Sequence, residues 1–320
     1  MAWGLVTLVL MLIGGCAALC AAAAGLMAWS LVHPPRMTDA KALWLLRRLT
    51  PADLALPFDE LRFQIRDEQS RHVTIAAWWL PHPHAEGKCA VLVHGYADAK
   101  VGAIAWAPAW HALGFNLLVP DLRAHGESGG RVCTAGYFER HDLSQLLDEL
   151  KADRPEETRR MVLFGLSMGA AVAGATAALR TDIAAVVMDS PYADFRSAAM
   201  AHMDRLGLPG YWLQRTAIRL GEWLTYANYQ AVRPPASIAR LPCPALVILS
   251  GDDEFLSPRD RGMLEQAIRS PDELWSVEGV EHLMAFSSGA QQYAARLGRF
   301  LEYALSTAPS AGSAGVVQSV

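Results

Sequence analysis

The sequence predicts an α/β fold, a mainly parallel sheet of eight strands flanked by helices on both faces. Three observations carry this expectation. Apolar, strand-like runs alternate with helical stretches along most of the 320 residues, the rhythm of βαβ units. Several runs, such as "CAVLVHG" and "RMVLFG", are apolar without alternation, which suits strands buried on both sides. Hydrophobic residues make up 52% of the chain and charged ones 19%, enough apolar material for a sizeable core.

The chain opens on an exception to that rhythm. Residues 2–32 carry no charged side chain, a stretch longer than the roughly 20 residues a helix needs to cross a bilayer. A secretory signal has a basic n-region and an apolar core of about 7–15 residues. This stretch has neither, which predicts an uncleaved transmembrane helix over 1–32. Trp3 and Trp29, near its ends, suit the two headgroup zones. Arg36, Lys41, Arg47 and Arg48 follow it, so the positive-inside tendency places the rest of the chain in the cytoplasm. A linker over 33–60, with prolines at both ends, holds a short helical pattern at 39–49.

The main domain is expected over 61–305. "LRFQIRD" and "HVTIAAWWLP", around the turn "DEQSR", read as an antiparallel hairpin. "CAVLVHG" is the next strand, followed by a helix at 106–113, the strand "FNLLVPDL" and a helix at 141–151. Then come the strand "RMVLFG", a helix at 167–179, and the strands "IAAVVMDS" and "PALVILSG". A helix at 258–268, the strand "ELWSVEG" and a helix at 291–305 complete the series. One segment, about 192–240, breaks the alternation with two or three amphipathic helices around "GLPG". An insertion beyond the C-terminal end of a strand hangs over the ligand crevice of an open α/β sheet, as a lid. The Ser-, Ala- and Gly-rich tail over 306–320 predicts disorder.

Composition narrows the function. A net charge of −4 offers no basic field for nucleic acid. Cys16 and Cys20 sit in the apolar N-terminal stretch, and Cys89, Cys133 and Cys243 are isolated, so no disulfide framework is expected. There is no CxxC or HExxH motif, and His82 and His84, which alternate with prolines, read as part of a solvated loop rather than as metal ligands.

One motif carries chemistry. "GLSMG", Gly165 to Gly169, fits Gly-x-Ser-x-Gly with a strand before it and a helix after it. In a nucleophile elbow the serine stands on a tight, strained turn, and the flanking glycines remove side chains that would clash. Ser167 is then the nucleophile. The helix start behind it supplies N–H groups for an oxyanion, with Met168 giving one of them.

With "VLVHGY" at 91–96, "DLRAHGESGG" at 121–130, "GYFERHDL" at 136–143 and "GDDEFLSP" before a late histidine, the chain resembles the α/β-hydrolase family. The resemblance, over about 61–305, is to bacterial membrane-linked esterases and serine aminopeptidase-like (S33-type) hydrolases. It implies that the backbone N–H of Tyr96 is the second oxyanion donor and that His94 is structural. Asp121, Arg123 and His125 would order a supporting loop. His282 is the expected base; it is also the only histidine after His202, on a loop between the last strand and the last helix. Family spacing puts the acid three residues after the glycine, at Glu254, with Asp252 and Asp253 as alternatives. The implied activity is hydrolysis of a small-molecule or lipid-like ester or thioester through an acyl-enzyme, without metal or organic cofactor. An aminopeptidase would need lid carboxylates, for which Asp194, Asp204 and Glu222 are available. A catalytically silent scaffold at the membrane is the other reading.

Overall fold

The computed structural model describes residues 2–67, 71–208 and 210–307. Most of the tail expected to be disordered, from 308 on, lies outside the described residues, as does the centre of the "DEQSR" turn. In chain order the elements are α1 (Ala2–Val32), α2 (Asp39–Leu46), β1 (Asp59–Arg66), β2 (His72–Leu80), β3 (Lys88–Val93), α3 (Lys100–Ala103), α4 (Ala107–Ala112) and β4 (Asn116–Pro120). Next come α5 (Glu139–Asp153), β5 (Arg160–Leu166), α6 (Met168–Ala177) and β6 (Ile183–Asp189). The inserted helices α7 (Phe195–Arg205), α8 (Tyr211–Thr225) and α9 (Pro234–Ile238) follow. The chain returns with β7 (Ala245–Ser250), α10 (Pro258–Ala267), β8 (Leu274–Val277), α11 (Ala285–Ser288) and α12 (Ala290–Thr307).

The eight strands form one sheet in the order β1-β2-β4-β3-β5-β6-β7-β8. β2 pairs antiparallel with β1 and with β4, and every other pair is parallel, so the sheet is mixed with a parallel majority. Strands β3 to β7 are buried nearly end to end, because helices cover both faces. Alternate side chains feed two separate cores. Val91, Val93 and Leu163 face α5 and α6, while Leu92, Val162 and Phe164 face α4 and α12.

The chain runs from β3 outward to β4, then returns to place β5 on the opposite flank of β3. That reversal opens a crevice beyond the C-terminal ends of β3 and β5, where open α/β sheets hold ligands. "VHGY" ends β3 and "GLS" ends β5, so topology alone brings these two distant segments together.

The helix expected at 141–151 starts two residues earlier, at Glu139, for a reason visible in its surroundings. The fully buried Glu139 carboxylate accepts the N–H groups of Thr134 (2.7 Å) and Gly136 (2.8 Å) and the Thr134 hydroxyl (2.6 Å). It ties the preceding turn to the first turn of α5. α3 and α11 had no counterpart in the sequence reading, since runs of four residues lack a measurable period.

α1 divides into two parts. Residues 3–22 are exposed along their whole length, whereas Ala24, Met27, Ala28 and Val32 are buried against the domain, with α8 as the main partner. The Val32 carbonyl accepts the Cys133 N–H at 2.8 Å. Just beyond, the Arg36 guanidinium donates to the carbonyls of Gly126 (2.8 Å), Ser128 (2.6 Å) and Gly130 (3.1 Å). The foot of the helix is thus packed into the domain and pinned there.

Candidate active site

Ser167 sits between β5 and α6 with φ 53° and ψ −116°, a backbone geometry that costs on the order of 1–3 kcal/mol and must be imposed by its neighbours. The neighbours are identifiable. The Ser167 N–H donates to the Asp189 carbonyl at 2.9 Å, and the Ser167 carbonyl accepts from Ala170 at 3.0 Å. A Cβ on Gly165 would overlap the Gly169 carbonyl, and one on Gly169 would overlap the carbonyl oxygens of Val93 and His94. Both glycines of the motif are therefore required by space. Gly95 passes close on the other side, where an added Cβ would lie 3.4 Å from the Ser167 Cβ.

His282 reaches the elbow from the loop after β8. Its Nε2 lies 2.9 Å from the Ser167 Oγ and its Nδ1 lies 2.7 Å from Asp253 Oδ2. The imidazole rests edge-on against Phe255, with ring centroids 4.9 Å apart. The Leu283 N–H donates to Ser190 Oγ at 3.2 Å, which fixes the loop carrying the histidine.

The carboxylate beside the ring is not the one that spacing assigned. Glu254 touches His282 only at the backbone, its Oε2 accepting the His282 N–H at 3.3 Å, and its other oxygen lies 3.3 Å from Arg205 of α7. Asp253 takes the place expected of Glu254, and Asp252 is exposed. The cause is local. After β7 the chain is held to the end of β8 and the loop beyond it by the N–H groups of Gly251, donating to Val277, and Asp252, donating to Val280. Asp253 then folds onto its own turn, with Oδ1 accepting the Phe255 N–H at 2.9 Å and Oδ2 aimed at the imidazole. Its side chain is 1% exposed. Consecutive side chains on this turn diverge, so Glu254 faces the inserted helices.

Tyr96 and Met168 both line the crevice beside Ser167, and Met168 opens α6, where a backbone N–H has no intrahelical acceptor. His94 holds the Tyr96 turn. Its Nε2 accepts the Leu122 N–H at 2.9 Å, which leaves Nδ1 to donate to the Gly95 carbonyl at 2.7 Å. Burial, with His125 close by, pushes the His94 imidazole down to about 3. It stays neutral and structural.

The "DLRAHGES" segment is an ordered support. Asp121 accepts the Lys100 N–H (2.7 Å), its ammonium (2.8 Å) and the Glu127 N–H (2.8 Å). Arg123 pairs with Asp142, and His125 Nδ1 lies 2.8 Å from the Arg123 carbonyl.

Two supporting residues escaped the sequence reading. Asp189, at the end of β6, is fully buried and accepts the Tyr293 hydroxyl (2.7 Å) and the Ser190 hydroxyl (3.0 Å). Burial raises its carboxyl to about 6 against the pull of those two donors. Ser190, with φ 51°, lies 3.2 Å from Ser250 Oγ and so links the ends of β6 and β7 to the histidine loop. The signal was present in "IAAVVMDS": a polar pair closing an apolar strand marks the crevice edge.

The crevice encloses a cavity of about 250 Å³. Tyr192, Phe195, Phe255 and Leu256 supply apolar wall, and Leu31, from the last turn of α1, closes one side. The Tyr96 hydroxyl donates to the carbonyls of Ser30 (3.0 Å) and Leu31 (3.1 Å), joining the same helix end to the crevice. Among the described residues no cluster of three or more His, Cys, Asp or Glu has the arrangement of a metal site.

A sheet of this order, with a strained strand-to-helix turn at its reversal point and a helical insertion after β6, defines an α/β-hydrolase fold. The alpha/beta hydrolase family matches residues 90–296, and the chain belongs to that family. Among curated relatives, the Bacillus subtilis (strain 168) protein YqkD is 26% identical over 236 residues, 69% of this chain and 73% of its own. A Mycobacterium tuberculosis protein, MT2364, is 28% identical over 209 residues, 65% of this chain and 68% of its own. The Pyrococcus furiosus esterase Pf2001 superposes with a TM-score of 0.67 at 23% identity, covering 85% of this chain and 98% of that one. A membrane phospholipase A described as a bacterial virulence factor gives a TM-score of 0.56 at 16% identity, covering 95% and 99%. At these identities the two structures speak for the fold.

Helix propensity and sterics disagree about Gly169, which makes it a sharp test. Propensity alone gives Gly169→Ala a gain of about 1 kcal/mol. The overlap with the Val93 and His94 carbonyls makes it a loss of about 1–3 kcal/mol or more, read as a lower denaturation midpoint.

A second test uses pH. With His94 at about 3 in the fold and 6.5 when unfolded, the unfolded chain takes up its proton first, so stability falls as pH drops from 6.5 towards 3. Asp98 and Asp189, both raised to about 6 by burial, act oppositely: their contribution is complete below 3.8 and lost as pH rises through 6. Comparing wild type with His94→Gln isolates the histidine, and the variant's midpoint should fall less steeply between pH 6 and 4.

Proposed function

We propose that the chain is a membrane-anchored serine hydrolase that cleaves carboxylic ester or thioester bonds, with its catalytic domain on the cytoplasmic side. One observation carries the reading: the Ser167–His282–Asp253 relay, with spacings of 2.9 and 2.7 Å. In this mechanism the Asp253 carboxylate accepts the His282 Nδ1–H, which leaves Nε2 free to accept the Ser167 proton. Ser167 Oγ bonds to the substrate carbonyl carbon as its proton passes to Nε2. The oxyanion so formed accepts the N–H groups of Tyr96 and Met168, each worth about 3–4 kcal/mol to the transition state. Collapse expels the alcohol or thiol, which leaves with the proton from His282. Water then repeats the sequence on the acyl-enzyme and releases the acid.

The inserted helices favour this reading over an aminopeptidase. Asp194 accepts from Arg196 N–H and Gln230, Asp204 from Gln214, and Glu222 from the Arg196 guanidinium. None of the three lines the cavity beside Ser167, so a substrate amine would meet no carboxylate of this set there. A relay with all members within hydrogen-bond reach likewise opposes a silent scaffold. The exposed apolar length of α1, and the four basic residues that follow it, support the anchor and its orientation.

A fluorophosphonate probe should label the protein, and Ser167→Ala should abolish the labelling; a persistent adduct would remove the serine from its role. Asp253→Asn should lower ester turnover on the order of 10⁴-fold. Glu254→Gln and Asp252→Asn should leave it within the same order of magnitude. Steady-state assays of the three variants decide which carboxylate works with the imidazole.

A further inference from the structure

We propose that the face of the inserted helix α8 around the foot of α1 rests on a lipid surface, and that the site takes amphiphilic esters whose acyl chain enters from the bilayer beside Leu31. The inference rests on the hydrolase reading for its substrate but on separate observations for its surface.

The first is a length. The free part of α1, residues 3–22, rises about 1.5 Å per residue, which gives about 30 Å, the thickness of a bilayer's hydrocarbon core. Nothing is left over for a spacer. The next residues, Ala24, Met27 and Ala28, are already packed on the domain, chiefly on α8. If the free part spans the core, α8 lies at the membrane surface.

The second is the composition of that surface. α8 buries Gln214, Ala217, Ile218, Gly221 and Thr225 on one side. It exposes Trp212 (80%) and Trp223 (68%), with Tyr226 (81%) just past its end. Arg215 and Arg219, also exposed, lie between the two tryptophans. Exposed indole and phenol rings interleaved with arginines are the side chains of a headgroup zone, where an apolar body and a polar tip are both satisfied. α2, six residues beyond α1, also exposes Trp44, between Leu43 and Leu45.

The third is the cavity wall. Leu31 belongs to the docked turn of α1 and lines the cavity beside Ser167, while the Tyr96 hydroxyl binds the carbonyls of Ser30 and Leu31. The reacting centre and the membrane helix therefore share a wall. At about 250 Å³ the cavity is smaller than the roughly 300–1,000 Å³ typical of sites that enclose a whole ligand. It suits an acyl group whose remainder stays outside, in lipid.

The test uses the full chain in phosphatidylcholine vesicles, wild type against a Trp212→Ser/Trp223→Ser/Tyr226→Ser variant. Two substrates are compared: a long-chain fluorogenic acyl ester dissolved in the vesicles and a water-soluble acetate ester. The variant is expected to lose tenfold or more on the vesicle ester and to stay within twofold on the soluble one. Brominated phosphatidylcholine should also quench the wild-type tryptophan emission more than the variant's. Equal quenching, or an unchanged ratio of vesicle to soluble turnover, overturns the proposal. So does a variant that shows equal quenching and drops from dimer to monomer in detergent, which would put a second copy of the chain on this face. Fluorophosphonate labelling of Ser167 is read in parallel: its failure strikes the hydrolase reading, whereas the quenching result judges the lipid surface alone.

Discussion

The crevice depends on how closely the first turn of α6 presses against the end of β3. No side chain fits between Gly169 and the Val93 and His94 carbonyls, and none fits between Gly165 and Gly169. This double contact is what forces Ser167 to φ 53°. A strained residue persists only where its surroundings over-determine it. Here the surroundings are two adjacent parallel strands buried at all but their first residues, so the strain is borne by a part of the core.

Around that contact the chain spends buried polar groups on loops, each group bonded at least in part to backbone. His94 ties the β3 turn to Leu122, Asp121 gathers three donors, Glu139 closes the 134–136 turn, and Ser190 holds the histidine loop. Each member of the buried Lys100–Asp121 pair has further partners, Glu127 for the ammonium and two backbone N–H groups for the carboxylate, so neither charge depends on the other alone. Such groups are poor sources of net stability. What they provide is a fixed position for segments that carry no regular secondary structure.

The fold class was legible because its signal is coarse. An opening hairpin followed by strand-like runs that mostly alternate with helical stretches survives errors of two or three residues at any boundary, and even the four-residue β8 stood out. The meeting of Ser167 with a late histidine was legible too, since the elbow motif and the order of the segments fix which ends of the sheet they occupy. The carboxylate was not. A count along "GDDEF" says nothing about which way neighbouring side chains point, and that direction is set by the pairing of Gly251 and Asp252 with the end of β8 and the segment beyond it. Nor did the apolar run at 2–32 reveal that its last turns pack inside the domain. Hydropathy is the same for a residue facing lipid and one facing α8.

The displaced Glu254 has a consequence of its own. Through Arg205 it clasps the strand-bearing body to α7, and through the His282 amide it touches the histidine loop. The arginine is 58% exposed, and ion pairs of that kind contribute only about 0–1 kcal/mol. A fastening so weak releases and re-forms with ordinary thermal motion, and higher ionic strength loosens it further. Salt thereby has a route to the gap between body and insertion that does not pass through the hydrogen bonds joining Ser167, His282 and Asp253.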